Sequence, residues 1–452
     1  MKFKNKYLVA FLFLLIFSSP QNKLFAEVKN AKNPKITTIL RSNYVYDVWI
    51  KNDGVNDRIQ TARSQDYGSN WDSPIYLSAA DQDASSFSLG VDSLEKDLFA
   101  IWVRSNGTND IVQFSSTLNY GQPWDAPIDL SLPNQDASSP DIVSDFIGEK
   151  IYTIWARSNG TNDIIQFSKS LDFGQTFSTP IDLSATLQNA KTPKIATSFA
   201  QNCICTIWER SNGTNDVIQF KHSSDFGNTW DSVVDLSETV SNARNPQVLT
   251  NGSYIYTIWE REKLDEAWAY GTEFRKSMDS GTTFSDVYGI SPYVYSVNKS
   301  KMVCSNDAQY IYVSWYISNG MYTDAQVVVS KDYGYSFDGA FILNNFGKNC
   351  IDTDIATDIN GQNTYIVWAR SNGTNDIIQL GKSNDYGAHW TNIGHDLSLP
   401  GQDAKNPSVK TSDSGDKVFV IWARSDGTKD VIEEVYSNDY GASFSIPQTV
   451  SN

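Results

Sequence analysis

An apolar block ending in tryptophan recurs eight times along this chain, and no other feature narrows its possible folds as much. The copies read YDVW, LFAIW, YTIW, CTIW, YTIW, YVSW, YIVW and FVIW. Their tryptophans are Trp49, Trp102, Trp155, Trp208, Trp259, Trp315, Trp368 and Trp422, at intervals of 53, 53, 53, 51, 56, 53 and 54 residues. A period of that size means one supersecondary unit copied and stacked, because each copy has an apolar face that only a neighbour can cover. In the third copy, strand signals at Asp141–Ser144, Ile151–Ala156, Asp163–Ser168 and Thr179–Leu183 alternate with turn signals. Asn159-Gly160 between the second and third strands predicts a tight type I′ hairpin turn. Aromatic residues make up 13% of the chain, which favours strands over long helices. The repeat is in phase at both ends. Asn30-Ala31-Lys32-Asn33-Pro34 matches Asn242-Ala243-Arg244-Asn245-Pro246 and Asp403-Ala404-Lys405-Asn406-Pro407, and the last strand signal is Pro447–Val450. Four-stranded antiparallel units of this length pack radially around a channel, leaving only short edges, whereas the turns of a β-solenoid are shorter. The expectation is an all-β chain whose residues 27–452 form one eight-bladed β-propeller of four-stranded antiparallel blades.

A second motif follows each third strand: SQDYGSNW, TLNYGQPW, SLDFGQTF, SSDFGNTW, SMDSGTTF, SKDYGYSF, SNDYGAHW and SNDYGASF. Its acid (Asp66, Asp172, Asp225, Asp279, Asp332, Asp385, Asp439) is a short acceptor able to bond N–H groups of its own turn. Its glycine permits positive φ, and its closing aromatic is expected to bury an apolar face under the hairpin. The second copy has Asn119 for the acid and Thr117 for the serine, both able to accept in a turn. The pattern resembles the Asp box of the sialidase-like, or BNR-repeat, β-propellers, and the resemblance covers every copy. It implies a structural role for these acids, on the face opposite any active site.

The catalytic sialidases of that superfamily use an arginine trio, a Tyr–Glu nucleophile pair and an acid/base Asp, the first arginine lying in a Phe/Tyr-Arg-Ile-Pro motif. Here the corresponding stretch reads Pro34-Lys35-Ile36-Thr37-Thr38-Ile39-Leu40-Arg41, with the arginine after the strand. Those enzymes are also typically six-bladed. None of their catalytic residues carries over, so the reading is a non-catalytic scaffold, without cofactor or metal.

The arginines follow the repeat. Arg104, Arg157, Arg210, Arg370 and Arg424 occupy one position of Trp-x-Arg-Ser-(Asn/Asp)-Gly-Thr-(Asn/Lys)-Asp, which closes on Asp110, Asp163, Asp216, Asp376 and Asp430. Strand alternation puts these hairpins on the face opposite the Ser-x-Asp turns, beside the Asn/Asp-Ala-x-x-Pro segments. An arginine fork, a carboxylate such as Asp163 and acceptors such as the Asn189 amide or the Asp136 carboxylate between neighbouring blades suit sugar hydroxyls, which predicts a multivalent lectin-like face for a glycan or glycosylated surface. A protein is the second choice of partner. Ordinary turn chemistry accounts for the same residues without a ligand. A catalytic site, by contrast, needs unlike groups converging, and the hairpin of the repeat is replaced in the fifth and sixth copies. There Glu262, Asp265, Trp268, Tyr270 and Tyr322 could supply carboxylates and a sugar platform, the basis of a sialidase-like exo-glycosidase alternative.

The N-terminus reads as a signal peptide. Lys2, Lys4 and Lys6 precede an apolar Tyr7–Phe17, and Leu24-Phe25-Ala26 offers cleavage before Glu27. Ser18, Ser19 and Pro20 end the apolar run short of the roughly 18 residues of a membrane span. The expectation is an exported protein with no stable membrane insertion. Removing residues 1–26 takes the formal charge from −16 to −20. A surface so acidic repels phosphate backbones, so nucleic acid is not an expected partner. Cys203 and Cys205 lie two apart in a strand and point the same way, which disfavours a disulfide between them, while Cys304 and Cys350 in neighbouring copies could meet. His222, His389 and His395 show no metal-ligand spacing.

Overall fold

The tryptophan blocks become strands buried on both faces. Ile151–Ser158 is covered from its first residue through Arg157, as befits a strand with a neighbouring blade on each side. The structure is a computed structural model that describes residues 30–451 apart from 39–41, 93–96, 119, 122, 199–202, 264–268, 293–295, 319 and 345–348. Eight four-stranded antiparallel sheets, each a simple meander, form an eight-bladed β-propeller. The blades run Ala31–Tyr76, Ala84–Asp129, Ala137–Asp182, Ala190–Asp235, Ala243–Gly289, Ser296–Ile342, Cys350–Asp396 and Ala404–Thr449, numbered here 1 to 8. All eight repeat tryptophans are fully buried. Each packs toward the preceding blade, as Trp208 does among Tyr152, Ile154 and Phe167 of blade 3. The expected signal peptide, residues 1–26, lies outside the described residues.

The first strands face the axis and line a central channel. In blade 3 this strand starts at Ala137, four residues before the Asp141 expected from the sequence. A β-bulge explains the difference. Ser139 adopts φ +53, the register shifts between Ile154 and Ala156 of the partner strand, and the strand passes through Pro140 without breaking. Asn33, Ser86, Thr192, Asn245, Lys299, Asp352 and Asn406 repeat that left-handed residue around the ring. The fourth strands lie on the exposed outer rim, and in blade 3 the strand shrinks to Ile181–Asp182.

Each Ser-x-Asp turn is built from its own side chains. In blade 3, Ser170 Oγ donates to Asp172 Oδ1 at 2.7 Å and accepts from the Gly174 N–H at 2.9 Å. Asp172 Oδ1 also accepts from the Thr176 N–H at 2.9 Å. Phe173 and Gly174 carry φ of +60 and +82. In blade 4, bonds from the Thr229 N–H and hydroxyl, then from Ser223, hold the Asp225 carboxyl down at about 2. The same pattern recurs at Asp66, Asp279, Asp332, Asp385 and Asp439, while Asn119 lies outside the described residues. The closing aromatic does not pack under its own hairpin. Phe177 of blade 3 meets Phe114 of blade 2 edge-on at 4.8 Å, because the left-handed turn swings it across the seam.

Among the described residues, blade 1 is built from Ala31–Tyr76 and blade 8 from Ala404–Thr449, so no strand is exchanged where the ring closes. That seam is held by packing of Trp49, Ile36 and Val45 against Phe419, Ile421 and Ile432. None of the four cysteines forms a disulfide. Cys304 and Cys350 do not meet, because they sit at opposite ends of neighbouring first strands, roughly 20 Å apart along the strand direction. Cys203 and Cys205 stand side by side with sulfurs 3.4 Å apart.

Candidate functional site

The Asn-Gly hairpins do not form two-residue type I′ turns. Ser158 pairs with Asp163, leaving a four-residue loop in which Gly160 has φ +90 and Asn159 does not have positive φ. Asn159 Oδ1 instead accepts the Thr161 and Asn162 N–H groups at 3.0 and 2.8 Å, an Asx-type plug that stands in for the tighter turn. Asn159 Nδ2 reaches out to Thr186 O at 2.8 Å and ties the loop to the connection leading into blade 4. These hairpins and the inter-blade connections share the face opposite the Ser-x-Asp turns.

Because Arg157 pairs with Ile164 while Asp163 pairs with Ser158, the arginine and aspartate of one hairpin point to opposite faces of their blade. Each cleft between blades therefore receives the aspartate of one copy and the arginine of the next. In the cleft between blades 2 and 3, Asp136 Oδ1 accepts the Asp110 N–H at 2.9 Å, and its neighbour Gln135 accepts from Arg157 at 3.0 Å. Between blades 7 and 8, Asp403 holds the Asp376 N–H at 3.0 Å while Gln402 bonds Arg424. Burial, and then the Asp403 carboxylate, push the Asp376 carboxyl up. Asn189, Asn242 and Asn30 accept the N–H groups of Asp163, Asp216 and Asp430 in the same way.

The arginine forks are mostly occupied within their own blades. Arg104, Arg157, Arg210 and Arg370 pair with fourth-strand Asp129, Asp182, Asp235 and Asp396 at 2.8, 3.2, 3.2 and 3.2 Å. Arg424 pairs with Glu433 at 2.6 Å. The aspartates are the more open half. Asp216 and Asp430 pair with Lys191 and Lys405 at 2.8 and 2.9 Å, as Asp57 does with Lys32 at 2.7 Å in blade 1.

Where blades 8 and 1 meet, these groups enclose a cavity of about 450 Å³. Four amides (Asn30, Asn33, Asn52 and Asn406) and the Lys32–Asp57 and Lys405–Asp430 pairs form its wall. Blade 5 departs from this scheme. Arg244 takes the lysine position and Tyr270 the aspartate position, and the guanidinium lies 3.7 Å over the ring. Glu262 beside them accepts from Asn242 at 2.7 Å, whereas Asp265 and Trp268 lie outside the described residues and Tyr322 sits in the blade 6 hairpin.

Two further residues of the hairpin face, Glu209 and Glu260, directly follow their repeat tryptophans and are not singled out by the repeat motifs. They are 3% and 0% exposed, and both carboxylates accept from Asn245, Glu209 from its backbone N–H and Glu260 from its side-chain amide, each at 2.9 Å. The signal was present: this position reads Ala156, Ala369 and Ala423 in other copies, so Glu209 marks the blade 4–5 cleft, and Glu260, which also accepts the Ser300 N–H of blade 6 at 3.1 Å, marks the blade 5–6 cleft. Among the described residues, no group of three or more metal-ligating side chains gathers.

No family model matches the sequence, and no curated protein matches it. Solved structures are similar in fold. A Hadza microbial sialidase is 12% identical with a TM-score of 0.44, over 65% of this chain and 64% of its own, so the chain spans less than two thirds of that enzyme's length. A polysaccharide lyase, an ulvan lyase, is 11% identical with a TM-score of 0.51, over 80% of this chain and 95% of its own. A prolyl endopeptidase is 10% identical with a TM-score of 0.51, over 91% of this chain and 55% of its own. At these identities what is shared is the β-propeller fold, which hosts unrelated activities.

Proposed function

We propose that this protein is an exported, non-catalytic carbohydrate-binding propeller that takes a glycan or glycosylated surface on its hairpin face. The observation that carries the reading is the cavity between blades 8 and 1, whose wall alternates amide, ammonium and carboxylate groups. Such a wall offers donors and acceptors in the mixed pattern that sugar hydroxyls require. The other clefts repeat parts of it, so several weak sites act together on a multivalent surface. The Asp-box resemblance and the signal peptide support an exported member of the sialidase-like propellers, and the polysaccharide-processing neighbour is compatible with that reading.

A glycan array probed with the chain from Glu27 onward tests it, beside an Asp57→Ala/Asp430→Ala variant and an Arg157→Ala/Arg210→Ala/Arg370→Ala variant. We expect glycan binding that falls at least tenfold in the first variant and less in the second, whose arginines are largely occupied by their own blades. Equal binding by all three proteins would reject these clefts, and an array without any hit would turn attention to a protein partner.

The glycosidase alternative keeps one specific support, the Arg244–Tyr270 pair beside Glu262. Turnover of sialyl or neutral glycoside reporters that Glu262→Gln or Asp265→Asn abolishes would establish it.

A further inference from the structure

The chain is acidic, with a formal charge of −16, but its central channel is not. Five lysines and three aspartates line this cavity of about 880 Å³. One level of it is decided by the residue two places after each bulge. That position holds Lys35 in blade 1, Lys194 in blade 4 and Lys301 in blade 6, against Asp141 in blade 3 and Asp354 in blade 7. Blades 1, 4 and 6 are three, two and three steps apart around the ring, so the lysines approach the axis from three sides at one height.

The two aspartates at this level are committed elsewhere. Asp141 accepts from the Ser88 hydroxyl at 2.8 Å and from the Ile195 N–H at 3.2 Å. Asp354 Oδ2 accepts from the Ser408 hydroxyl at 3.0 Å and the Val409 N–H at 3.1 Å. Both thus stitch their strand to neighbouring blades. Lys194 stands 3.9 Å from Asp141, at the limit of an ion pair. Lys35 donates only to Phe87 O at 2.7 Å, and neither it nor Lys301 has a carboxylate within ion-pair distance among the described residues. The crowding is felt. Loss of hydration inside the channel first, then Lys194 and Lys301, working against Asp141 and Asp354, pull the Lys35 ammonium down to about 8.

We propose that this level of the channel binds an oxyanion, the carboxylate or sulfate of an acidic sugar residue, between the Lys35, Lys194 and Lys301 ammonium groups. The sugar half of the proposal rests on the carbohydrate reading above, whereas the oxyanion half stands on the channel alone. An anion there relieves the mutual repulsion of the lysines and gains charge-assisted hydrogen bonds inside low-dielectric walls that focus the field. Affinity is expected to weaken as pH rises through about 8, when Lys35 loses its proton.

Calorimetric titration of the chain from Glu27 onward with sodium sulfate, a sulfate- or uronate-bearing oligosaccharide and its neutral counterpart tests the site. Wild type is compared with Lys35→Met/Lys194→Met/Lys301→Met and with the matching triple arginine variant, each first checked for an unchanged circular dichroism spectrum. We expect the methionine variant to lose at least tenfold in affinity for sulfate and acidic oligosaccharide. The arginine variant should keep that affinity, and the neutral oligosaccharide should bind all three proteins alike. Unchanged affinity of the methionine variant for the acidic ligands would overturn the proposal. Lysine-dependent sulfate binding with no oligosaccharide bound would leave the oxyanion site standing and overturn its sugar half.

Discussion

Gly174 has two reasons to be glycine, and Gly160 has one. Both sit in the left-handed region, at φ +82 and +90. A Cβ on Gly174 would also meet the Phe114 ring of the preceding blade at 2.7 Å, whereas a Cβ on Gly160 meets nothing within 4 Å. The glycine of the Ser-x-Asp turn therefore serves the turn and the seam together, and the hairpin glycine serves only its loop. Gly160→Ala is expected to cost about 1–2 kcal/mol from backbone strain. Gly174→Ala should cost more, because overpacking adds a further term of roughly 1–3 kcal/mol. Thermal unfolding of the two variants side by side checks the order, and equal melting temperatures would refute the contribution of the seam.

At the scale of the element, a blade is not a self-sufficient unit. Its second-strand tryptophan is covered by the blade before it, and its closing aromatic reaches back to the same neighbour. Trp208→Ala should cost roughly 3–5 kcal/mol, the usual range for a fully buried large aromatic. Nearest-neighbour stacking further predicts where the damage spreads. Amide hydrogen exchange is expected to accelerate in blades 3 and 4 and to stay near wild type in blade 8. Uniform acceleration around the ring would show that the blades unfold as one unit instead.

The whole molecule depends on closing the ring, and the closing seam carries a pair of buried acids, Asp47 and Glu434. Asp47 stands where other blades have Thr153, Thr206 or Thr257, and Glu434 stands where they have Phe114, Phe167, Phe220 or Phe274. Both are fully buried. Burial, opposed by hydrogen bonds from Trp71 and Gln448, leaves the Glu434 carboxyl pushed up to about 8, and burial with Glu434 nearby drives Asp47 well above the usual range. Between the ordinary values of 3.8 and 4.5 and the raised ones, the folded protein holds protons that the unfolded chain has released. Stability therefore falls as pH rises from about 4.5 to about 8, where Glu434 ionises in the fold, and Asp47 goes on contributing to the loss until it ionises too. An Asp47→Asn/Glu434→Gln variant should melt near wild type at pH 5 and clearly above it at pH 8. Parallel pH curves for the two proteins would exclude the pair as the cause.

The sequence by itself determined the number of blades, the phase of the repeat and the face that each loop occupies, because a 53-residue period and strand alternation are local properties that every copy states again. It also marked the turn acids, whose partners lie within four residues of them. Partners from other blades were a different matter. The closing aromatic looked intrablade until the left-handed turn carried it across a seam, and the Asn-Gly loops looked like two-residue turns until an asparagine side chain filled them. The bulged strands looked shorter because a proline ordinarily interrupts pairing. Only the tertiary structure showed that the arginines are occupied by carboxylates of their own blades while the aspartates open into the clefts, since a residue's face depends on register. Likewise Lys35, Lys194 and Lys301 stand far apart in the chain and acquire a common neighbourhood only when eight blades close around an axis.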